Sequence, residues 1–220
     1  MITVALSKGK LLAPTLALFK RAGYASRDMA EDSRRLVFTF PALDTTLLIV
    51  RPSDVPTYVE YGAADVGVVG KDMLLEQDRD VYEPLDLKFG GCRISVAAPV
   101  GEKVRELSSS KLRVATKYPN ITERYFNQKG IPVEIIKLYG SIELAPVVGL
   151  AERIVDLVSS GRTLKAHHLM EMDTIAKSSA RLIVNRASLK MKHGRITELI
   201  SRLQERGTKA TRQRNGQESR

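Results

Sequence analysis

The sequence predicts an α/β protein of two similar lobes facing each other across a central cleft. Short apolar runs alternate with stretches of helical apolar spacing along the chain, the pattern of strands joined by helical crossovers. The order of elements over residues 58–82 returns over residues 144–172: helix, Ala and an acid, strand, polar turn, helix, strand. Size agrees, since 220 residues with 43% apolar side chains suffice for one large domain or two small ones with cores of their own.

Residues 2–6 form a short strand broken by Ser7-Lys8-Gly9-Lys10, and residues 11–22 continue at helical spacing up to Gly23. Residues 35–40 and 46–50 read as two strands joined by Pro41-Ala42-Leu43-Asp44. Ser53 is the expected N-cap of a helix reaching Tyr61, with Pro56 in its first turns, and the strand Val66-Gly67-Val68-Val69 follows at once. Further along come strands at 94–98, 112–116, 133–138 and 154–158, and helices at 120–128, 141–153 and from Thr163 onward. This alternation predicts mostly parallel sheets. Lobe I is expected to comprise residues 1–90 plus 178–206, returning through a strand at 181–184 and a helix at 195–206. Lobe II is expected to span 91–177. Residues 207–220, rich in Gly, Gln and charge, are expected to form a disordered basic tail.

Charge excludes less than it first promises. The chain has 35 Lys and Arg against 25 Asp and Glu, a net +10, yet residues 186–220 alone hold +7 of it. With no Trp and 5% aromatic residues there is no run of stacking platforms, which argues against a nucleic-acid partner. A single cysteine, Cys92, cannot form an internal disulfide, and no apolar run approaches the roughly 18 residues of a membrane span. The start MITVALSKGKLL has none of the features of an export leader, so the expected location is cytoplasmic.

The strongest chemical signal is the run Asp156-Leu157-Val158-Ser159-Ser160-Gly161-Arg162-Thr163-Leu164. A strand ends in small residues there, so backbone N–H groups can approach a phosphate, with the start of a helix behind them. Arg162 is placed to close over the anion, and Asp156 to accept hydrogen bonds from sugar hydroxyls beside it. The same letters also fit an ordinary strand-to-helix turn capped by Thr163. Glu143 stands in the first turn of the preceding helix, where it either favours the helix dipole or joins Asp156 at a ribose. Lys8, in its glycine turn, and Arg51, before Pro52, both stand at strand ends suited to anionic oxygens; a solvated Arg51 fits equally. Tyr118 reads either as a stacking face for a flat ring or as a core residue. His167, His168 and His193 show no metal-ligand spacing, and Cys92 has no neighbouring base.

These residues resemble the ATP phosphoribosyltransferase family, which catalyses the first step of histidine biosynthesis. The likeness runs over about residues 1–206 and is carried by residues 5–11, 65–70, 115–120, Phe89-Gly90-Gly91-Cys92-Arg93, and above all Glu143-Leu144-Ala145-Pro146 to Glu152 running into residues 156–164. Where the family usually has Asp, this chain has Glu152, and Lys88 also departs from the usual pattern. The resemblance implies the two-lobed fold of type II periplasmic binding proteins. It also implies transfer of a 5-phosphoribosyl group from phosphoribosyl pyrophosphate (PRPP) to N1 of ATP, with Mg2+ whose ligands stay unassigned. Carried over by position, Glu143, Asp156, Ser159, Ser160, Gly161, Arg162 and Thr163 would bind PRPP, and Lys8, Arg51 and Tyr118 would line the ATP side. The length matches the short form of the family, which pairs as a catalytic dimer and joins a histidyl-tRNA-synthetase-like regulatory subunit in a hetero-octamer. A non-catalytic two-lobed protein that binds small anions is the rival reading.

Overall fold

A computed structural model of the chain describes residues 1–26, 35–101 and 111–217, with side chains described through Gly207. The chain divides into two compact units, Met1–Gly90 with Ser179–Arg220 and Gly91–Ser178. The first unit opens with β1 (Ile2–Ser7), α1 (Leu12–Ala22), β2 (Val37–Phe40), β3 (Thr45–Val50), α2 (Val55–Glu60), β4 (Val66–Gly70), α3 (Lys71–Gln77) and β5 (Tyr82–Asp86). The second holds β6 (Cys92–Pro99), β7 (Leu112–Thr116), α4 (Pro119–Gln128), β8 (Val133–Lys137), α5 (Leu144–Val147), β9 (Arg153–Val158), α6 (Arg162–Ala166) and β10 (Leu169–Ser178). The chain then returns to the first unit as β11 (Ala180–Val184), α7 (Arg186–Met191) and α8 (His193–Gln217).

Each unit is built on one sheet, of order β2-β3-β1-β4-β11-β5 in the first and β10-β6-β9-β7-β8 in the second. In each, the three parallel strands that carry crossover helices are adjacent: β3-β1-β4 and β9-β7-β8. The remaining pairings are antiparallel, so the sheets are mixed rather than mostly parallel. Four of these five pairings follow from the route of the chain, because β6 and β11 are the first strands after it passes between units and each enters its sheet against its neighbours; the fifth, β2 with β3, joins strands consecutive in sequence.

Continuous apolar runs become the strands buried on both faces. β4 is buried along its whole length, and Gly67 is required in it, because a Cβ there would stand 2.8 Å from methyl groups of Val55 and Val59 on α2. α1 ends where Gly23 takes φ +83°, with Lys20 and Arg21 beside the carbonyl end of the helix. In α8, Ile196, Leu199 and Leu203 bury one stripe in the same core as Leu16 and Phe19 of α1 and the strand residues Leu6, Leu47 and Val68. In the second unit, Ala97, Ala115, Ile154, Val158 and Leu164 form the corresponding core.

Three local expectations are corrected. The helix expected over 141–153 is only Leu144–Val147, because Gly149 adopts φ +73° and Leu150 N–H turns back to the carbonyl of Ala145 at 2.9 Å. Asp54, not Ser53, occupies the N-cap position of α2, and the Ser53 hydroxyl donates to the Asp54 carboxylate at 2.9 Å. α8 continues to Gln217, through residues expected to be disordered. No proline interrupts that stretch, its Lys, Ala, Arg and Gln residues favour helix although Gly207 and Gly216 do not, and a helix nucleated on a packed half propagates at one hydrogen bond per residue. Residues 218–220 of the expected tail lie outside the described residues.

The returning helices are tied to the first strand through Asp65, which is 5% exposed. Its carboxylate accepts from Thr3 N–H at 2.8 Å, Ser188 Oγ at 2.7 Å and Lys192 Nζ at 2.8 Å. Burial pushes this carboxyl up, but the bonds from Lys192, Thr3 and Ser188 prevail and hold it below its usual value. A carboxyl lowered by folding stabilises the protein above its unfolded value of 3.8 and loses that contribution as pH falls below it. Asp65→Asn should therefore cost about 1–3 kcal/mol in urea unfolding at neutral pH. The gap between wild type and variant should narrow in titrations taken below about pH 4.

Candidate active site

The carboxyl ends of β7, β8 and β9 lie along one edge of the second sheet, since these strands are parallel neighbours. Every PRPP-binding candidate but Asp156, which is inside β9, follows the end of β8 or β9. β9 stops at Val158, and the turn Ser159-Ser160-Gly161 leads into α6. Gly161 is the N-cap residue, at φ +75° and ψ 0°, and no side chain caps the helix. Thr163 is therefore inside the first turn, not the cap, because the turn needs a left-handed residue that only glycine supplies without strain. Ser159, Ser160, Arg162 and Thr163 are exposed and Gly161 is half-buried. Arg162 folds back on the loop, its Nε donating to Ser160 Oγ at 3.2 Å. α6 has only five residues, so its dipole is small and the N–H groups and cations of the loop carry most of the attraction for an anion.

Asp156 projects two residues before the end of β9 and is half-buried, directly across from Ser95 on β6. Glu143 is half-buried at the N-cap of α5, after the end of β8. The two carboxylates thus belong to one parallel group, Asp156 within β9 and Glu143 after β8, with β7 between those strands rather than the two being neighbours. Tyr118 is at the end of β7, but it is 2% exposed, so its ring is a core element and presents no stacking face. Its carbonyl accepts from Thr122 Oγ1 at 2.7 Å, fixing the start of α4.

Lys8 and Arg51 belong to the first unit, apart from Tyr118. They are neighbours: Ser7 is in register with Val50 on parallel strands, and Lys8 N–H donates to the Val50 carbonyl at 2.8 Å. Both side chains are exposed at the carboxyl edge of that sheet. Cys92 is half-buried at the start of β6.

Sequence reading missed the partners that surround the loop. Arg93 Nη1 donates to the Ser159 carbonyl at 3.2 Å, while its Nε donates to Glu171 at 2.6 Å. Glu171 also accepts from Ser95 Oγ at 2.7 Å. The hydrogen bond from Arg93, outweighing burial, and the bond from Ser95 lower the Glu171 carboxyl to about 2. At the other end of β9, Glu152 accepts from the backbone N–H of Arg113 at 2.9 Å and from its Nε at 3.0 Å.

Among the described residues no three His, Cys, Asp or Glu side chains gather as a metal site. Glu143, at the N-cap of α5, and Asp156, within β9, are single carboxylates that would suit Mg2+ held mainly by phosphate oxygens and water. No helix among the described residues is long and apolar enough to cross a membrane.

Two mixed α/β units, one of them with a strand that ends in the turn Ser159-Ser160-Gly161, define a protein of the class with a binding-protein-like α/β fold. The fold alone is shared with the periplasmic aliphatic sulphonate binding protein of Escherichia coli, with a TM-score of 0.61 at 12% identity over 98% of this chain and 71% of that one. Residues 51–205 match the family ATP phosphoribosyltransferase, HisG. An ATP phosphoribosyltransferase of Syntrophotalea carbinolica is 59% identical over 92% of this chain and 94% of its own, and ATP phosphoribosyltransferase 2 of Geobacter sulfurreducens is 57% identical over 92% and 97%. A solved structure described as the ATP phosphoribosyl transferase (HisG:HisZ) complex from Thermotoga maritima aligns with a TM-score of 0.84 at 34% identity, over 94% of this chain and 99% of that one. This chain belongs to the ATP phosphoribosyltransferase family.

A Cβ added at Gly161 would meet nothing within 4 Å, so Gly161→Ala isolates the effect of backbone conformation. Left-handed φ should cost about 1–2 kcal/mol in thermal or urea unfolding, or the loop should open to relieve it. Opening of the loop predicts weaker retention of PRPP in equilibrium binding, whereas a loop that keeps its conformation shows only the stability cost, with the rest of the fold preserved by circular dichroism in both cases.

Proposed function

We propose that this chain transfers the 5-phosphoribosyl group of PRPP to N1 of ATP, forming phosphoribosyl-ATP and pyrophosphate, as the catalytic subunit of the first step of histidine biosynthesis. The observation that carries the assignment is the exposed Ser159–Thr163 turn at the end of β9, beside Asp156 and Glu143, in a chain 59% identical to a named ATP phosphoribosyltransferase. The N–H groups of the turn hold the 5-phosphate, with Arg162 over it. Asp156 and Glu143 accept from the ribose hydroxyls. Lys8 and Arg51 carry the ATP side, and Tyr118 supports the start of α4.

The adenine N1 lone pair forms the new bond to the anomeric carbon as the bond from that carbon to the pyrophosphate oxygen breaks. The electron pair leaves with pyrophosphate, and the 6-amino group of the product yields a proton to solvent. N1 needs no strong base, which suits a site whose residues align two anionic substrates rather than move protons. Mg2+, bound with the substrate, supplies charge neutralisation to the leaving pyrophosphate.

The Thermotoga maritima relative, solved as a HisG:HisZ complex, supports a second kind of subunit beside this chain; a histidyl-tRNA-synthetase-like regulatory subunit, with catalytic dimers in a hetero-octamer, is what the family resemblance implies for that assembly. We place the assembly in the cytoplasm, with its two phosphorylated substrates.

Pyrophosphate release from PRPP and ATP, measured with and without the regulatory subunit, tests the reaction. Asp156→Ala and Thr163→Ala should each raise KM for PRPP by about tenfold or more and leave KM for ATP within about threefold. Equal rises in both constants would contradict the assignment of this loop.

A further inference from the structure

We propose that Arg93 and Glu171 are positioning residues that hold the PRPP loop in its binding conformation, acting through the carbonyl of Ser159. The inference rests on the reading of that loop given above, and it starts from the sheet. β6 lies between β9, which carries the loop, and the edge strand β10. Arg93 is in register with Val158, the last residue of β9, so its guanidinium reaches the point where the loop begins.

Glu171 aims that guanidinium. The carboxylate takes both Nε and Nη2 of Arg93, a two-point contact that orients the planar group, and leaves Nη1 directed at the Ser159 carbonyl, 3.2 Å away. The carboxylate is itself held by Ser95 Oγ at 2.7 Å and Thr174 Oγ1 at 3.1 Å. A bulge makes this possible. Glu171 and Thr174 are three residues apart on one strand and would face opposite sides of a regular sheet. The register shift between Glu171 and Asp173 instead sets them opposite Ala97 and Ser95, which share a face. Asp156, opposite Ser95 on the other neighbouring strand, is on that face too.

The consequence follows from the planar peptide. A Ser159 carbonyl held towards Arg93 forces the N–H of Ser160 to point the opposite way, away from the guanidinium, as a donor for the phosphate. Glu171 matches the charge of Arg93, so the pair acts through geometry and not as a free cation for the anion. The low carboxyl value of Glu171 keeps the pair ionised across the assay range.

The two roles predict opposite results for Glu171→Gln. If Arg93 were a direct phosphate cation, removing its counter-charge would tighten PRPP binding. If the pair sets the loop, KM for PRPP should rise about tenfold while KM for ATP stays unchanged. Arg93→Lys, which keeps the charge and loses the fork, should show the same split. The double variant should be no worse than the poorer single one, because both act on one contact. Ser95→Ala, a milder loosening of Glu171, should raise KM for PRPP by about two- to threefold and provides the readout if Glu171→Gln fails to fold. Assays use the full chain with its regulatory subunit, and melting temperatures accompany each variant. An unchanged or lowered KM for PRPP in Glu171→Gln, or in Ser95→Ala where only that variant folds, would overturn the proposal. Wild-type pyrophosphate release is the control: its absence would defeat the reading of the enzyme itself, whereas active wild type with indifferent variants defeats only the role of this pair.

Discussion

Backbone N–H groups can hold a phosphate only where the chain turns without side chains in the way, and the place we propose for it in the second unit is the turn where β9 leaves its sheet at Val158. Much of that unit can be understood from this requirement. The loop itself is exposed and short, so its precision comes from the strand behind it. β9 is an interior strand, parallel to β7 on one side and antiparallel to β6 on the other. Ile154 and Val158 fix its depth by burying into the core beneath the loop, and Leu164 anchors α6 in the same core.

Both ends of β9 are held by an arginine and a glutamate. At its start Glu152 grips Arg113 of β7, and at its end Arg93 of β6 grips Glu171 of β10 and the first loop carbonyl. Such partly exposed pairs add little stability on average. Their value here is directional, since a two-point contact fixes orientation as well as distance. The first unit uses a different anchor: Asp65, at the start of β4, gathers β1, α7 and the residue preceding α8 around one buried carboxylate.

Much of this was legible in the sequence, for a physical reason. A strand buried on both faces is written as an unbroken apolar run, so β4 could be read directly; β1, β7 and β9 showed as shorter apolar stretches around single polar residues, and glycine with small hydroxyl residues marked the loop at 159–161. Strand direction was not legible, because pairing is a property of two distant segments and neither records it alone. The helix expected over 141–153 failed because apolar spacing continues past Gly149 although the backbone does not. Thr163 looked like a cap because hydroxyl residues usually are; the left-handed turn at Gly161 set the helix start two residues earlier. Arg93 and Glu171 are 78 residues apart, and the bulge that puts Glu171 and Thr174 on one face, opposite Ala97 and Ser95, leaves no periodic trace.

The central claim is that the phosphate of the transferred sugar is held at the end of β9. A crystal structure of the protein with PRPP bound tests it directly. The account predicts the 5-phosphate within hydrogen-bonding distance of the N–H groups of the Ser159–Thr163 turn, with the ribose hydroxyls on Asp156 and Glu143. A 5-phosphate seated instead on Lys8 and Arg51 at the ends of β1 and β3 would contradict it.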